Sequence, residues 1–454
     1  MTLCANRFFS RTRLKIALCS AVLLVAGARQ ASAKVVLFLE EPYSYDGRFA
    51  GTGHAAVYLT NVCASSPVSL RQCEPGERGV VISRYYKIAG YDWLAIPLIP
   101  YLYAVQNLRD APVFADEETA DFLRDQYRRK HLENFAPDDP GGLAPGGHWV
   151  EVVGVAYRRT IYAFEIEAGS DKDEAFIREF NARQNKGKFN LITHNCADFA
   201  RNVIDFYYPK AVHRSIFGDL GVTTPKQLGR TITHYGHKHP DTELTMFVIP
   251  QVPGTIPRSR HIHGVIESAF GAKKYLLPIA LLNPVVAGSL AIGTYLDEGH
   301  VTLVHNAKIF DAARGLETPL SADERRFYQQ KLDALGVELD ETEDGTKLSL
   351  QNAKASLDDA GRPVLHEQID GGPRAINLTR DSIAQSAAPD LETRLLMERI
   401  SQELKRDSIP KVSSAQLKED WELLQRVERQ QRRAYHQETL TASGNLTRTH
   451  ALRP

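Results

Sequence analysis

The stretch from Leu191 to Phe206 constrains the fold more than any other part of this 454-residue chain. Asn195 is a good N-cap residue, Asp198 stands three positions later as its capping-box partner, and apolar residues follow at helical spacing. The pattern predicts a helix that begins at Cys196. At such a position the free backbone N–H groups and the helix dipole stabilise a thiolate. We therefore expect Cys196 to be a nucleophile with a lowered thiol pKa.

A thiolate nucleophile needs a base within hydrogen-bond reach, and His54 is the strongest candidate. His54 opens a strand-like run directly after Gly51-Thr52-Gly53, where flexible backbone lets the imidazole approach a helix end closely. The N–H groups at the start of the Cys196 helix would also form half of an oxyanion hole. The sequence therefore predicts a Cys196–His54 pair.

Other residues near these motifs are expected to complete the site. His194 and Asn195 immediately precede the nucleophile and are predicted to contact substrate. His148 opens a further strand-like run and is the predicted third catalytic residue, which would orient the base. Ser83 and Glu165 are alternatives for that role, and the sequence does not choose among the three.

The N-terminus has the order of a secretory signal: basic residues, an uncharged apolar run from Ile16 to Gly27, and Ala31-Ser32-Ala33 before Lys34. Cleavage is expected after Ala33, and an uncleaved membrane anchor is the alternative. The protein is therefore expected in the periplasm or cell envelope.

Export changes the meaning of the five cysteines. Cys4 and Cys19 would leave with the signal, and Cys63 and Cys73 bracket a short polar stretch that a disulfide would close in an oxidising compartment. Cys196 would then be the unpaired thiol.

Composition excludes several classes of function. Lys and Arg number 55 and Asp and Glu number 55, so no broad positive field exists to bind nucleic acid. The histidines at positions 234, 237, 239, 261 and 263 have no acidic ligand pattern beside them. We expect no metal and no cofactor.

The chain divides into four predicted parts: a signal peptide at 1–33, an α+β catalytic domain at 34–245, an apolar segment at 246–300 and a charged helical tail at 301–454 that is partly disordered. The charge-free run Tyr275–Leu296 is interrupted by proline and glycine, which favours a buried or interfacial hairpin over a membrane span. In the tail, 392–405 and 415–437 are predicted amphipathic helices, which are expected to contact an envelope protein partner.

Within the catalytic domain, runs rich in β-branched and aromatic residues predict strands, and two segments with acidic starts and basic ends predict helices. The predicted strands are Val35–Leu39, His54–Leu59, Gly79–Tyr86, Trp149–Val155 and Thr160–Ile166, and the predicted helices are Asp116–Lys130 and Asp171–Gln184.

Gly53-His54-Ala-Ala-Val-Tyr-Leu59, followed much later by Asn195-Cys196-Ala-Asp-Phe-Ala-Arg201, resembles the circularly permuted papain-like (NlpC-like) superfamily, which includes lecithin:retinol acyltransferase and its relatives. In that superfamily the histidine strand precedes the cysteine helix. More closely, the run 159–165, the helix from Asp171 and the Asn-Cys-Ala pattern resemble the periplasmic domain of the lipoprotein N-acyltransferase Lnb family. The resemblance covers roughly residues 35 to 210.

This resemblance implies an antiparallel sheet with a cysteine-bearing helix, and an acyl group carried as a thioester on Cys196. The donor would be a membrane phospholipid or a lipoprotein. The apolar run Trp93–Val105, twice broken by proline, would suit an acyl groove in which Trp93 and Tyr101 contact substrate, and a core strand and turn is the alternative.

Two other functions fit the same motifs. A cell-wall peptidase or amidase of this fold would use the same Cys196–His54 pair in an open, polar groove. A non-enzymatic envelope interaction protein would act through its charged tail and would need no reactive thiol.

Overall fold

A computed structural model of the chain describes residues 33–43, 52–214, 221–265, 307–336, 353–369, 372–387, 389–405 and 412–450, with a few positions between 281 and 289. The predicted signal peptide lies outside the described residues except for Ala33, and the run 275–296 lies outside them except for those few positions. Across the described ranges, no helix combines the length and the apolar character that crossing a bilayer requires.

An eight-stranded sheet forms the centre of the molecule, with strand order β10-β9-β8-β7-β1-β2-β5-β6. Neighbouring strands are antiparallel except β8 and β9, which are parallel. The strands are β1 (Ala33–Glu40), β2 (His54–Leu59), β5 (Val80–Ser83), β6 (Leu94–Pro97), β7 (Ile161–Ala168), β8 (Thr245–Ile249), β9 (Lys308–Asp311) and β10 (Gly315–Glu317), and the hairpin β3 (Val62–Ser66) and β4 (Ser69–Gln72) lies beside them.

Helices cover this sheet, and the combination is the expected α+β class with a mainly antiparallel sheet. Those of the first half are α1 (Leu98–Tyr103), α2 (Glu117–His131), α3 (Ser170–Ala182), α4 (Cys196–Tyr207) and α5 (Pro225–Lys238). Those of the second half are α6 (Ala322–Gly336), α7 (Arg380–Ile383), α8 (Asp390–Leu404) and α9 (Ser414–His450), and they accompany a small sheet of β11 (Lys354–Leu357), β12 (Pro363–Ile369) and β13 (Gly372–Asn377).

Strand β1 is apolar on both sides because both faces of the sheet are covered. Val35 and Leu37 lie in one core with residues of α3, α4 and α5, whereas Val36 and Phe38 lie in the other with residues of α1 and α2. A strand buried on both faces is a continuous hydrophobic run rather than an alternating one. The nucleophile helix α4 therefore belongs to the first layer.

Four of the five predicted strands are present, and the one predicted at Trp149–Val155 is wrong. That segment forms two single turns of 3-10 helix, Trp149–Glu151 and Val155–Tyr157. Gly154 between them has φ 69°, a left-handed conformation that interrupts regular strand geometry. Val152, Val153 and Val155 pack in the core without joining the sheet.

The run 93–105 forms strand β6 and the short helix α1, and it is part of the core. Trp93 is 4% exposed and packs against Phe180, with ring centroids 5.8 Å apart, and Tyr101 is completely buried. Both side chains therefore belong to the core, as the alternative of a core element expects, and their contact with substrate stays a prediction.

The C-terminal region is folded against the eight-stranded sheet. The two predicted tail helices correspond to α8 and α9, but strands β9 and β10 extend the eight-stranded sheet well beyond residue 245. Gln402 of α8 donates to the Gly254 carbonyl at 2.9 Å and accepts from its N–H at 3.0 Å. Arg399 donates to the carbonyl of Val113. These contacts fix α8 to the first half of the chain.

The predicted disulfide is confirmed. Cys63 and Cys73 are bonded across the β3–β4 hairpin, and Cys196 is the free cysteine among the described residues.

Reducing this disulfide should lower the free energy of unfolding by about 2–3 kcal/mol, because the bond closes a short loop and restricts the unfolded chain. Urea unfolding with and without dithiothreitol measures the difference. The Cys63→Ser/Cys73→Ser protein is the control and should unfold identically in both buffers. A wild-type curve that does not respond to reductant would contradict the expectation.

Candidate active site

Helix α4 begins at Cys196, as the sequence predicts, and Asn195 is its N-cap. The Asn195 Oδ1 accepts from the N–H of Asp198 at 2.9 Å, and the Asp198 carboxylate accepts from the N–H of Asn195 at 3.4 Å. The Asn195 Nδ2 donates to the carbonyls of Leu191 and Thr223. Every polar group of this side chain is used within the protein. Asn195 therefore holds the start of α4 at Cys196, and its contact with substrate stays a prediction.

The turn before Cys196 is held by charged groups. Asp92 binds Arg84 through both carboxylate oxygens, each at 2.7 Å. The Oδ1 of Asp92 also lies 3.1 Å from the His194 Nε2. Arg84 also donates to the Asn195 carbonyl at 3.2 Å. His194 keeps 42% of its side chain exposed beside the nucleophile, where the sequence places it.

His54 is the first residue of β2, is 8% exposed and stacks on Tyr85 with ring centroids 5.0 Å apart. Its Nε2 lies 2.8 Å from the Ser83 Oγ, and the same hydroxyl donates to the Ala55 carbonyl at 2.8 Å. A hydroxyl has one proton to donate, so Ser83 accepts from His54 Nε2–H. The basic lone pair of the neutral imidazole is then on Nδ1.

Helix α4, which begins at Cys196, packs on strand β2, which begins at His54. The backbone amides of Ala55 and Ala197 lower the pKa of the Cys196 thiol. Cys196 is half-buried. The two predicted catalytic residues are thus the first residues of a helix and a strand that pack on each other.

The expected lowering of the Cys196 pKa is wrong. Burial raises the pKa of this thiol to about 11, and the Ala55 and Ala197 amides oppose that rise only in part. Burial also lowers the pKa of His54 to about 3, with the Arg159 charge acting in the same direction. The loss of hydration outweighs the helix-terminal amides. At neutral pH the resting pair is a neutral thiol and a neutral imidazole.

The three candidates for the third catalytic residue have different partners in the structure. Ser83 holds the ring of His54, whereas His148 has a 45% exposed side chain with its Nδ1 3.8 Å from the Glu151 carboxylate. Glu165 forms an ion pair with Lys34 at 2.6 Å. Among the three candidates, Ser83 is the one that forms a hydrogen bond with His54. It therefore makes the contact that was expected of His148.

A buried charge cluster beside the pair was missed by the sequence analysis. Arg159 lies 3.3 Å from the Glu40 carboxylate and 3.2 Å from that of Glu151, and its guanidinium stacks on the Tyr43 ring at 4.6 Å. Tyr43 donates to Glu151 at 3.1 Å. One signal was available: the apolar run of β1 ends abruptly in two glutamates, and buried charges in such a place need partners.

Glu40 has the most perturbed carboxyl group of this cluster. Burial raises its pKa to about 7, although the Arg159 charge and the hydrogen bond that Tyr101 donates both lower it. Glu40 is paired directly with His54 in the register of β1 and β2, so the two side chains project from the same face of the sheet.

An aromatic groove of about 570 Å³ adjoins the site through Tyr85, the residue that stacks on His54. Lys87 and Ala89 in its wall have φ values of 55° and 54°, which is strained backbone for residues with a side chain. Its aromatic lining consists of Tyr85, Tyr86, Tyr91, Phe135, Trp149 and Phe189.

Comparison with known proteins gives little. No protein-family model and no curated protein matches the chain. Among solved structures, the type VI secretion system effector TseH is similar with a TM-score of 0.22 and 13% sequence identity, and the match covers 48% of this chain and 99% of that one. A likeness at this TM-score does not establish a common fold.

Replacing Glu40 with Gln should stabilise the protein at alkaline pH. The folded-state pKa of Glu40 is raised from 4.5 to about 7. Its contribution to the free energy of unfolding is therefore fully present below pH 4.5 and is lost as the pH rises through 7. Gln keeps the shape and removes the buried charge. Urea unfolding should give Glu40→Gln an advantage of about 3 kcal/mol at pH 8.5 and almost none at pH 4.5. Equal stabilities at both pH values would contradict the assignment.

Proposed function

We propose that this protein is an acyl-transfer enzyme of the cell envelope in which Cys196 is the nucleophile and His54 the base. One arrangement carries the proposal: a free thiol begins a capped helix, and this helix packs on the strand whose first residue is a buried histidine held by Ser83. A cysteine that only packed in the core would need neither the capping network before it nor a histidine with a lone pair available on Nδ1.

The reaction begins from the neutral pair. As the Cys196 sulfur attacks the substrate carbonyl carbon, His54 Nδ1 takes the thiol proton, and N–H groups at the start of α4 stabilise the oxyanion. The tetrahedral intermediate collapses to a thioester on Cys196, and His54 gives its proton to the leaving group. His54 then removes a proton from the acceptor, which attacks the thioester and releases the thiol.

The order of elements supports the permuted papain-like arrangement. The histidine strand β2 precedes the cysteine helix α4 in the chain, and α4 packs on β2 within an antiparallel sheet. The disulfide between Cys63 and Cys73 supports an oxidising compartment, in agreement with the predicted signal peptide.

The surface around the site suits an acyl substrate. The aromatic groove has the size and lining of a site for an apolar group and lies next to Tyr85, although it is not the groove predicted around Trp93. Leu191 and Ile192, on the turn before Cys196, are 70% and 59% exposed. We infer that the donor is the acyl chain of a phospholipid or lipoprotein, and that lipoprotein N-acylation is the reaction to test first.

Incubation with phospholipid vesicles should add an acyl group to Cys196. Intact-protein mass spectrometry should find a mass increase of one fatty acyl chain, removed by neutral hydroxylamine as a thioester requires. The Cys196→Ala protein, which keeps the Cys63–Cys73 disulfide, is the control. Absence of an adduct together with cleavage of a cell-wall stem peptide would favour the peptidase instead.

Replacing Cys196, His54 or both should reduce turnover to the same extent. Cys196→Ala and His54→Ala should each lower turnover of a short-chain thioester by about 10³-fold or more, and the double variant should be no worse than either. Ser83→Ala should lower kcat because the imidazole loses its orientation, whereas the matched His148→Ala should stay near wild type. Activity is expressed per folded molecule, because truncation of buried His54 also costs about 1–3 kcal/mol of stability. Full activity in folded His54→Ala would exclude this mechanism.

A further inference from the structure

A second cavity, of about 520 Å³, lies between the eight-stranded sheet and the C-terminal helices. Its walls come from the ends of β8 and β9, from the segment after α1, and from α7, α8 and α9. Neither Cys196 nor His54 lines it, and the proposed acyl transfer makes no use of it. Its volume is that of a site for a small molecule.

Six arginines line this cavity, and three of them are neutralised within the protein. The six are Arg78, Arg109, Arg258, Arg314, Arg380 and Arg399. Arg314 pairs with Asp311 at 2.9 Å. Arg380 and Arg399 both pair with the buried Asp420, at 2.5 and 3.0 Å. The charge of these three guanidinium groups is therefore matched by carboxylates of the chain.

The other three arginines form no ion pair with a carboxylate in the part of the chain that the structure describes. Arg258 is half-buried, and its guanidinium donates to the Gln251 carbonyl at 3.1 Å and to the Gln402 Oε1 at 2.7 Å, which are both neutral. Arg78 donates to a backbone carbonyl, and Arg109 is exposed. Removing a guanidinium from water without a counter-ion is costly, and an anion in the cavity would offset that cost.

The acidic residues of the wall leave most of this positive charge uncompensated. Asp311, Glu403 and Glu419 already pair with the neutralised arginines. Asp381, which is exposed, is the lining acid without an ion pair among the described residues. It offsets one of three positive charges, so the cavity favours a ligand that carries about two negative charges.

We propose that this cavity binds a phosphate monoester, whose phosphate is held by Arg78, Arg109 and Arg258. A guanidinium pairs with two phosphate oxygens at once. A phosphate monoester carries about 1.5–2 negative charges at neutral pH, whereas a single carboxylate carries about one. The inference is independent of the proposed acyl transfer.

Apolar side chains form another part of the wall and indicate the rest of the ligand. They are Tyr103, Leu108, Val113 and Phe310. Beside a phosphate-binding cluster, such a surface suits a ring or another compact apolar group on the ester.

The test is calorimetric titration of the full-length protein with phenyl phosphate, which combines an aromatic ring with a dianionic phosphate. Benzoate is the matched probe, because it keeps the ring and carries a single charge. Phenyl phosphate should bind at one site and at least about tenfold more tightly than benzoate. Its affinity should fall as the NaCl concentration rises, because salt screens charges that solvent can reach.

Substitutions in the wall should change this affinity in opposite directions. Arg109→Gln and Arg258→Gln should each weaken binding of phenyl phosphate about tenfold, because each removes one charged hydrogen-bonding partner of the phosphate. Asp381→Asn should strengthen binding, because it removes a like charge. Arg129→Gln is the control and should bind as wild type does, since Arg129 is an exposed arginine of α2 outside the cavity.

The signs of these changes decide the proposal. Arg109 is exposed and its replacement should leave the fold intact, so it remains the test if Arg258→Gln does not fold. No saturable binding of phenyl phosphate at millimolar concentration, an equal affinity for benzoate, or wild-type affinity in Arg109→Gln would each overturn the proposal. Cys196→Ala should bind phenyl phosphate as wild type does, so a failure of the proposed enzymatic function would leave this result intact.

Discussion

The backbone of Ala55 is the point on which the site depends. Its carbonyl accepts from the Ser83 hydroxyl that in turn binds His54, and its amide lowers the pKa of the Cys196 thiol. One peptide segment at the start of β2 thus fixes the tautomer of His54 and acts on the ionisation of Cys196. Strand β2 pairs with β1 along its whole length and with β5 from Val57 onward, so the sheet holds this segment in place.

Burial gives the site its chemical character. The same loss of hydration raises the pKa of Cys196, lowers that of His54 and raises that of Glu40, so each group rests in its neutral form near pH 7 or below. A neutral pair avoids the cost of holding a separated thiolate and imidazolium in a dry site. In the proposed reaction the ion pair forms only when substrate supplies the electrophile, and Arg159 remains as the permanent charge nearby.

Local signals in the sequence predicted the nucleophile helix, its capping box, the strand of His54 and the disulfide, because each depends on residues close in the chain. The predicted strand at Trp149–Val155 failed on one left-handed glycine, Gly154. The sequence left Ser83 as one of three candidates for orienting His54 and gave no role to Glu40, since strand register and long-range packing decide which side chain meets His54. The same limit applies to β9, which joins β8 from far along the chain.

The C-terminal region extends the central sheet. Strand β8 would be an unpaired edge without β9, and exposed edges invite pairing with other chains. Strands β9 and β10 cover that edge, so that the short strand β10 becomes the edge, and α8 is anchored through Gln402 to the backbone of Gly254. Because the C-terminal region adds strands to the sheet that carries His54, its removal would act on the proposed site through that sheet.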